Sequence, residues 1–294
     1  MPLLPWARFL RLPNVFTAFA DIAMAGLAVG GSPGISLGLL AASGCLYLAG
    51  MAFNDLFDRH DDARSQPFRP IPSGQIATSA AWRVAVGLLV VGLLVAAAVT
   101  WFRQSFGTWP DALSIAGLLA VAILLYDAWL KHTPAGPLGM GLCRFLNVLL
   151  GLTAGEIAAN VGLHLAATVG LYIVGVTWFS RTEEASSRRG PLIGATVVML
   201  AAGLLALAVP LQRPGVSPAY PYLLTAVGVF VAGPIAAALA KPSSANVRAA
   251  VKRCIFGLVL LDAVLATAFV GWWGLPIALL LVPAVVIGKR VYST

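Results

Sequence analysis

Ten stretches of this chain are apolar over about the length of a bilayer crossing, and this feature restricts the fold more than any other. A transmembrane helix needs about 20 mostly apolar residues. The ten windows lie close to residues 14–31, 35–57, 79–101, 112–130, 138–158, 163–181, 191–211, 219–240, 254–271 and 272–288. Only 10% of the residues are charged, against about 25% in soluble domains. We therefore predict an all-α, polytopic transmembrane helix bundle of nine to ten spans, in which residues 1–294 form a single integral-membrane domain.

The basic residues indicate how this bundle is oriented. If the N-terminus is cytoplasmic and the spans alternate, sixteen Lys and Arg residues fall on the cytoplasmic side and only Arg103 and Arg213 on the other. Basic residues concentrate in cytoplasmic loops, so we predict a cytoplasmic N-terminus and an even number of spans in the plasma (inner) membrane. The net charge of +8 reflects this topology, and we expect no nucleic-acid partner. The last two windows form either a tight hairpin or one span followed by an interfacial segment.

Three aspartates follow the second window with helical spacing. Asp55, Asp58 and Asp62 stand at positions i, i+3 and i+7, so on a continuing helix they fall within about 60° of one another. Such a stripe of carboxylates is repulsive unless a cation lies between them. Mg²⁺ suits it, because Mg²⁺ binds one or two carboxylates together with substrate phosphates. The alternative is a solvated helix end whose charges have no further role.

A basic and conformationally restricted loop comes next. Arg69 opens the sequence Arg-Pro-Ile-Pro-Ser-Gly, residues 69–74. Guanidinium groups bind phosphates through paired hydrogen bonds. Carboxylates followed by this loop favour a magnesium-bridged diphosphate that Arg69 clamps.

Together the two motifs carry a resemblance to a known family. The pattern Asn54-Asp55-x-x-Asp58-x-x-x-Asp62, followed by residues 69–74, resembles the signature of the UbiA superfamily of intramembrane prenyltransferases. The resemblance implies helices around a central cavity that opens sideways to lipid, and Mg²⁺ held by two acidic motifs. It also implies transfer of an isoprenoid chain from a prenyl diphosphate donor to an unknown hydrophobic acceptor, with membrane lipids as surroundings.

The second acidic motif of the family is altered in this chain. Aligned on Arg181, its two aspartate positions are occupied by Ser180 and Glu184, with Glu183 beside them. Either Glu184, helped by Glu183, holds a second Mg²⁺ in a shifted geometry, or that metal site is lost. A further alternative is that both glutamates are surface charges paired with Arg188. Parts of this region and of the fifth span also resemble the EboC-like subgroup of the superfamily.

Three further polar side chains are candidates for the cavity. By resemblance, Tyr126 and Lys131 lie at the end of the fourth span, where Lys131 contacts the diphosphate; the alternative for Lys131 is an interfacial anchor. Arg144 lies inside the fifth span, where an unpaired charge costs at least about 2.5 kcal/mol. We expect Arg144 to form a structural ion pair with one of the nearby acids, which are listed here: Asp127, Glu156 and Asp262.

Three functions are compatible with these residues. The first is an Mg²⁺-dependent prenyltransferase. Asp55, Asp58, Asp62 and Glu184 hold its metal ions. The expected substrate-binding residues are Asn54, Arg69, Tyr126, Lys131, Arg181 and Glu183. The second is a transporter, which the gathering of the carboxylates at one face disfavours, because transporters place such groups near the midplane. The third is a prenyl-lipid-binding protein that has lost catalysis, which the altered second motif suggests.

Overall fold

The all-α prediction is confirmed by the computed structural model, which describes residues 3–107, 110–181, 189–213 and 215–292. Its helices are α1 (Leu3–Phe9), α2 (Val15–Ala28), α3 (Pro33–Ser65), α4 (Thr78–Phe102), α5 (Ala112–Ala128), α6 (Gly136–Leu152), α7 (Ala159–Ser180), α8 (Arg189–Gln212), α9 (Tyr220–Ala240), α10 (Ser244–Val270) and α11 (Leu281–Tyr292). Short 3₁₀ turns at Leu12–Asn14 and Leu130–His132 precede α2 and α6, and a 3₁₀ segment, Gly271–Leu280, joins α10 to α11. These ranges contain no strand.

Six helical stretches in the described ranges are long and apolar enough to cross a membrane, and one of them, Ser244–Val291, includes α10, the 3₁₀ segment and α11. Three apolar helices are shorter: Leu12–Ala28, Ala112–Ala128 and Gly136–Leu152. The apolar windows of the sequence extend beyond the C-terminal ends of these three helices. The first ends early because Gly30 adopts a positive φ of 61°, a conformation that glycine tolerates and a helix does not contain. The helix α5 ends because Trp129 leaves helical geometry, with φ −145° and ψ −55°.

The helices pack in an order that surrounds α2. This helix contacts α3, α6 and α10, while α3 packs along α4 and α7 packs between α6 and α8. Close approach depends on small residues, as is usual between membrane helices. A Cβ atom on Gly141 of α6 would lie 2.7 Å from the carbonyl oxygen of Gly170 on α7. The backbones of α6 and α7 are therefore in contact at this crossing.

The C-terminal segment is the hairpin that the sequence left as one of two alternatives. The chain reverses at Gly271, whose φ is 59°. The following 3₁₀ segment lies against α10, and a Cβ on Gly274 would be 2.6 Å from the backbone nitrogen of Thr267. The helix α11 then contacts α1 and the turn before α2, and Arg8 donates to the carbonyl oxygen of Val291 at 2.9 Å. Both ends of the described chain thus meet at one end of the bundle.

We predict that Gly141→Ala lowers the thermal stability of the protein in detergent by about 3–10 °C. Overpacking costs about 1–3 kcal/mol, and each kcal/mol shifts the melting temperature of a chain of this order by about 2–4 °C. The matched control is Gly203→Ala on α8, where an added Cβ has nothing within 4 Å. Equal melting temperatures for the two variants, measured by thermal unfolding, would contradict the close α6–α7 contact.

Candidate active site

The three aspartates lie on one continuous helix, as the spacing predicted. The helix α3 extends beyond its apolar part without a break and ends at Ser65. Asp55 and Asp62 are buried, each 5% exposed, and the side chain of Asp58 is 21% exposed. Since carboxylates are seldom buried without a partner, the groups around this stripe must supply positive charge.

Three basic side chains supply that charge from three different segments. The Arg69 Nη1 atom lies 2.6 Å from the Asp62 Oδ2 atom and 3.4 Å from the Asp55 Oδ1 atom. Arg11, just before α2, places its Nη2 atom 3.0 Å from the same Asp55 oxygen. Asp58 pairs separately, with the Lys131 Nζ atom 2.7 Å from its Oδ1 atom. The stripe therefore divides into a pair of carboxylates that share one guanidinium and a third carboxylate that faces a lysine.

The loop after α3 folds back so that Arg69 reaches the stripe. The Arg69 Nε atom donates to the Gln66 side chain at 3.0 Å, and the Ser73 hydroxyl donates to the Arg69 carbonyl oxygen at 2.7 Å. Gly74 closes the loop with a φ of 76°. The Ile76 amide then donates to the Pro70 carbonyl oxygen at 3.0 Å. These hydrogen bonds hold the guanidinium over Asp55 and Asp62, and the predicted contact of Arg69 with a diphosphate stays a prediction.

Asn54 connects the charged cluster to the interior of the bundle. Its amide oxygen accepts from Arg11 at 3.3 Å, and its amide nitrogen donates to the Asp127 Oδ1 atom at 3.0 Å. Lys131 also donates to the Asn54 carbonyl oxygen at 3.4 Å. Asp127 is 3% exposed and lines a cavity of about 60 Å³ together with Tyr126. The predicted residues Asn54, Tyr126 and Lys131 thus come together between the charged cluster and this cavity.

The residues around the altered second motif are described only in part. Arg181 donates to the Thr133 carbonyl oxygen at 2.6 Å and to the Lys131 carbonyl oxygen. It therefore anchors the segment that carries Lys131, and its contact with a diphosphate stays a prediction. The Ser180 hydroxyl donates to the Thr177 carbonyl oxygen at 2.8 Å. Glu183 and Glu184 lie outside the described residues, and their roles stay predictions.

Arg144 forms the buried ion pair that we expected, although with a different partner. Its Nη1 atom lies 3.0 Å from the Asp21 Oδ2 atom, and its Nη2 atom donates to the Thr17 hydroxyl at 2.7 Å. Asn147 donates to the same Asp21 oxygen at 2.8 Å. The expectation that Asp127, Glu156 or Asp262 is the partner was therefore wrong. Asp21 lies in the first apolar window, and α2 brings it opposite α6.

Two side chains that the structure places at the site have only weak signals in the sequence. Arg11 looks like one more basic residue before a span, yet it contacts Asp55 across 44 positions of the chain. Asp127 follows Tyr126 directly and is the carboxylate nearest the cavity, but the family motif gives it no role. An acidic residue in an apolar segment is an indication of function in its own right, and this signal identifies Asp127.

The carboxylate oxygens of Asp55 and Asp62 suit a divalent cation at the position that the Arg69 guanidinium occupies. In the described part of the chain, no group of three or more Asp, Glu, His or Cys side chains converges on one point. However, oxygens of Asp55 and Asp62 both lie within 3.4 Å of one Arg69 nitrogen, so one cation already bridges them. Mg²⁺ prefers oxygen ligands and usually takes one or two carboxylates from the protein. Two buried carboxylates on one cation meet that requirement.

The fold and the site define the class of this protein as a helical membrane bundle, with acidic and basic groups gathered at one end beside an internal cavity. The model of the UbiA prenyltransferase family matches residues 14–253, and this chain belongs to that family. The resemblance drawn from the sequence motifs is therefore confirmed.

Curated relatives match parts of the chain. The digeranylgeranylglyceryl phosphate synthase of Natronomonas pharaonis is 34% identical over 124 residues, which is 42% of this chain and 40% of that protein. The enzyme of the same name from Halobacterium salinarum is 31% identical over 174 residues, or 58% of each chain. The chain thus spans less than two thirds of the length of these relatives.

Solved structures share the fold. The structure of a digeranylgeranylglyceryl phosphate synthase in membranes has a TM-score of 0.69 at 20% identity, covering 91% of this chain and 98% of that one. A UbiA homolog from Archaeoglobus fulgidus, bound to GPP and Mg²⁺, has a TM-score of 0.63 at 14% identity, covering 89% and 99%. At these identities the likeness shows a common fold.

We predict that Arg144→Met strongly destabilises the protein, because it leaves Asp21 buried without its cation. Removing one partner of a buried ion pair costs about 3–5 kcal/mol. The double variant Arg144→Met/Asp21→Asn removes both charges and should recover part of that loss, which thermal unfolding in detergent measures. If the double variant is less stable than Arg144→Met alone, the ion pair is not the main interaction of either side chain.

Proposed function

We propose that this protein transfers an isoprenoid chain from a prenyl diphosphate to a hydrophobic acceptor within the membrane, with Mg²⁺ as cofactor. The observation that carries the proposal is the pair of buried carboxylates, Asp55 and Asp62, that share one cation beside two further basic groups. Membership of the UbiA prenyltransferase family supports it. So does the fold shared with a homolog described as bound to GPP and Mg²⁺.

The acidic residues would hold the metal ions. Asp55, Asp58 and Asp62 are assigned to one ion, and Glu184 with Glu183 to a second. When bound, Mg²⁺ supplies Lewis-acid stabilisation of the negative charge that develops on the leaving diphosphate. Asp55 and Asp62 are buried and Asp58 is half-buried. Their three negative charges can neutralise a divalent ion without further anions.

The basic residues would bind the diphosphate. Arg69, Arg11 and Lys131 balance the three aspartates one for one in the structure. With a metal ion held by the aspartates, these pairs would no longer be needed, and the three cationic side chains would be available to phosphate oxygens. Arg69 can donate paired hydrogen bonds, which charge-assisted recognition of phosphate favours. Arg181 would act with them and, through its bonds to the backbone at Lys131 and Thr133, fixes the position of Lys131.

The cavity beneath the cluster would receive the reacting carbon. It is lined mainly by apolar side chains, with Tyr126 and Asp127 at the boundary with the charged groups. Loss of diphosphate leaves an electron-poor allylic carbon that water would capture. An apolar cavity that excludes water directs this carbon to the acceptor instead. Asn54 contacts both Arg11 and Asp127. It would thereby hold the charged cluster in a fixed position relative to the cavity.

The membrane topology follows the charges. The chain is an integral membrane protein, as its apolar helices and family show. We assign the end that carries the site to the cytoplasmic side of the plasma (inner) membrane, together with the N-terminus, because sixteen basic residues fall there against two on the other side, and basic residues concentrate in cytoplasmic loops. Residues from α3, the loop after α5 and the end of α7 all contribute to the site, which supports one domain over residues 1–294.

The central test compares neighbouring aspartates on one helix. Asp62→Asn should lower Mg²⁺-dependent release of diphosphate from a prenyl diphosphate by at least about 100-fold, the scale expected when a group that stabilises the transition-state charge is lost. Asp55→Asn should behave in the same way. Asp61→Asn is the matched control, since Asp61 is exposed and lies off the stripe, and it should keep the wild-type rate.

The assay uses purified protein with geranylgeranyl diphosphate and a panel of acceptors. The name of the relatives makes geranylgeranylglyceryl phosphate the first acceptor to test, followed by phenolic and quinone precursors. Equal rates for Asp61→Asn and Asp62→Asn would contradict the assigned stripe. Mg²⁺-dependent binding of the donor with no product from any acceptor would contradict transfer and favour a prenyl-lipid-binding protein.

A further inference from the structure

A second concave site lies apart from the aspartates, between α10, α11 and the turn that precedes α2. It is a groove of about 520 Å³. Its basic side chains are Arg248 and Lys252 from α10 and Lys289 from α11, and all three are exposed. None of the described residues that line it is acidic. The groove therefore concentrates positive charge, and its electrostatic potential selects an anionic ligand.

Below its basic rim the groove is apolar. Ile255 and Phe256 line it from α10, and Val285 lines it from α11. On α10, residues 248, 252 and 255 follow the i, i+4, i+7 spacing of one helix face. On α11, residues 285 and 289 are likewise four apart. Each helix therefore presents a base nearer the end of the bundle and an apolar side chain deeper in it.

The depth of the groove distinguishes a lipid from a free anion as its ligand. Ile255 lies seven positions after Arg248, which on an α-helix is a rise of about 10 Å. A free phosphate would occupy only the basic rim, and the apolar walls would have no apolar ligand group to contact. A ligand with an anionic head and a hydrocarbon chain matches both parts of the groove. Basic pockets between membrane helices at the interface bind anionic lipid head groups for this reason.

We propose that this groove binds one anionic phospholipid, with the phosphate on Lys252 and Lys289 and the first part of an acyl chain against Ile255, Phe256 and Val285. The C-terminal hairpin is required for this site, because α11 forms one of its walls. A bound lipid bridges α10 and α11 and holds the hairpin against the turn before α2, where Gly288 approaches Pro13.

Native mass spectrometry of the full-length protein in detergent tests the proposal. Dioleoylphosphatidylglycerol and dioleoylphosphatidylcholine, which share their acyl chains, are titrated separately, and the dissociation constant of the first bound lipid is measured. The anionic lipid should bind at least about tenfold more tightly. Lys252→Gln/Lys289→Gln should abolish that preference, since each lysine near a membrane surface contributes on the order of fivefold to the affinity for anionic lipid.

The matched control is Arg83→Gln/Lys241→Gln, which removes two exposed basic residues outside the groove. It should change the affinity by less than about twofold, because neither side chain lines the groove and isolated exposed charges are screened by salt. Equal losses in the two double variants would overturn the proposal and leave only a general attraction to a basic surface. Equal binding of the two lipids would also overturn it. Displacement of the lipid by millimolar glycerol 3-phosphate would show that a free anion suffices, which contradicts a lipid site.

Discussion

The rest of the site depends on the neutralisation of three aspartates at the end of one helix. Asp55, Asp58 and Asp62 lie on the same stripe of α3, and two of them are buried. Such an arrangement persists only if cations approach it closely. The cations come from the turn before α2, from the loop after α3 and from the turn after α5. Charge balance therefore links these three segments to the end of α3, in addition to the packing of α3 against α2 and α5.

This constraint also explains how one end of an apolar bundle can hold a cluster of charged side chains. Within the apolar body, the helices approach through glycines such as Gly141 and Gly170, and these contacts carry no chemistry. At the end of the bundle, the same helices present paired charges around a small cavity. A metal ion and a diphosphate carry charges opposite to those of the aspartates and of the basic groups. They can therefore replace the internal pairs without leaving a buried charge uncompensated.

Local features of the sequence predicted the greater part of this architecture. Apolar windows identified the spans, because a bilayer imposes a minimum length on each helix. Spacing within α3 predicted the stripe, and the loop at residues 69–74 predicted the position of Arg69. Each of these signals lies within about 20 consecutive residues. The ends of α2 and α5 were predicted too late, since a positive φ at Gly30 and the departure of Trp129 from helical geometry are not visible in hydropathy.

Contacts between distant residues could not be predicted in the same way. Arg144 pairs with Asp21 across 123 positions, and the choice among several acids depends on how α2 and α6 rotate against each other. In the sequence Arg11 is one of the basic residues that indicate topology, and its contacts with Asn54 and Asp55 appear only in the structure. The course of the C-terminal hairpin depends on packing against α10, which hydropathy alone does not specify. The roles of Glu183 and Glu184 stay predictions from the altered motif.

A structure determined with Mn²⁺ and a non-reactive thio analogue of geranyl diphosphate is the most direct test of the exchange of charges. Anomalous scattering locates Mn²⁺ independently of the protein atoms. The account predicts a metal ion within about 2.0–2.5 Å of oxygens of Asp55 and Asp62, the range of metal–carboxylate bonds, with Arg69 and Lys131 moved onto the diphosphate. It is contradicted if the analogue is bound while Arg69 still bridges Asp55 and Asp62 and the metal lies elsewhere.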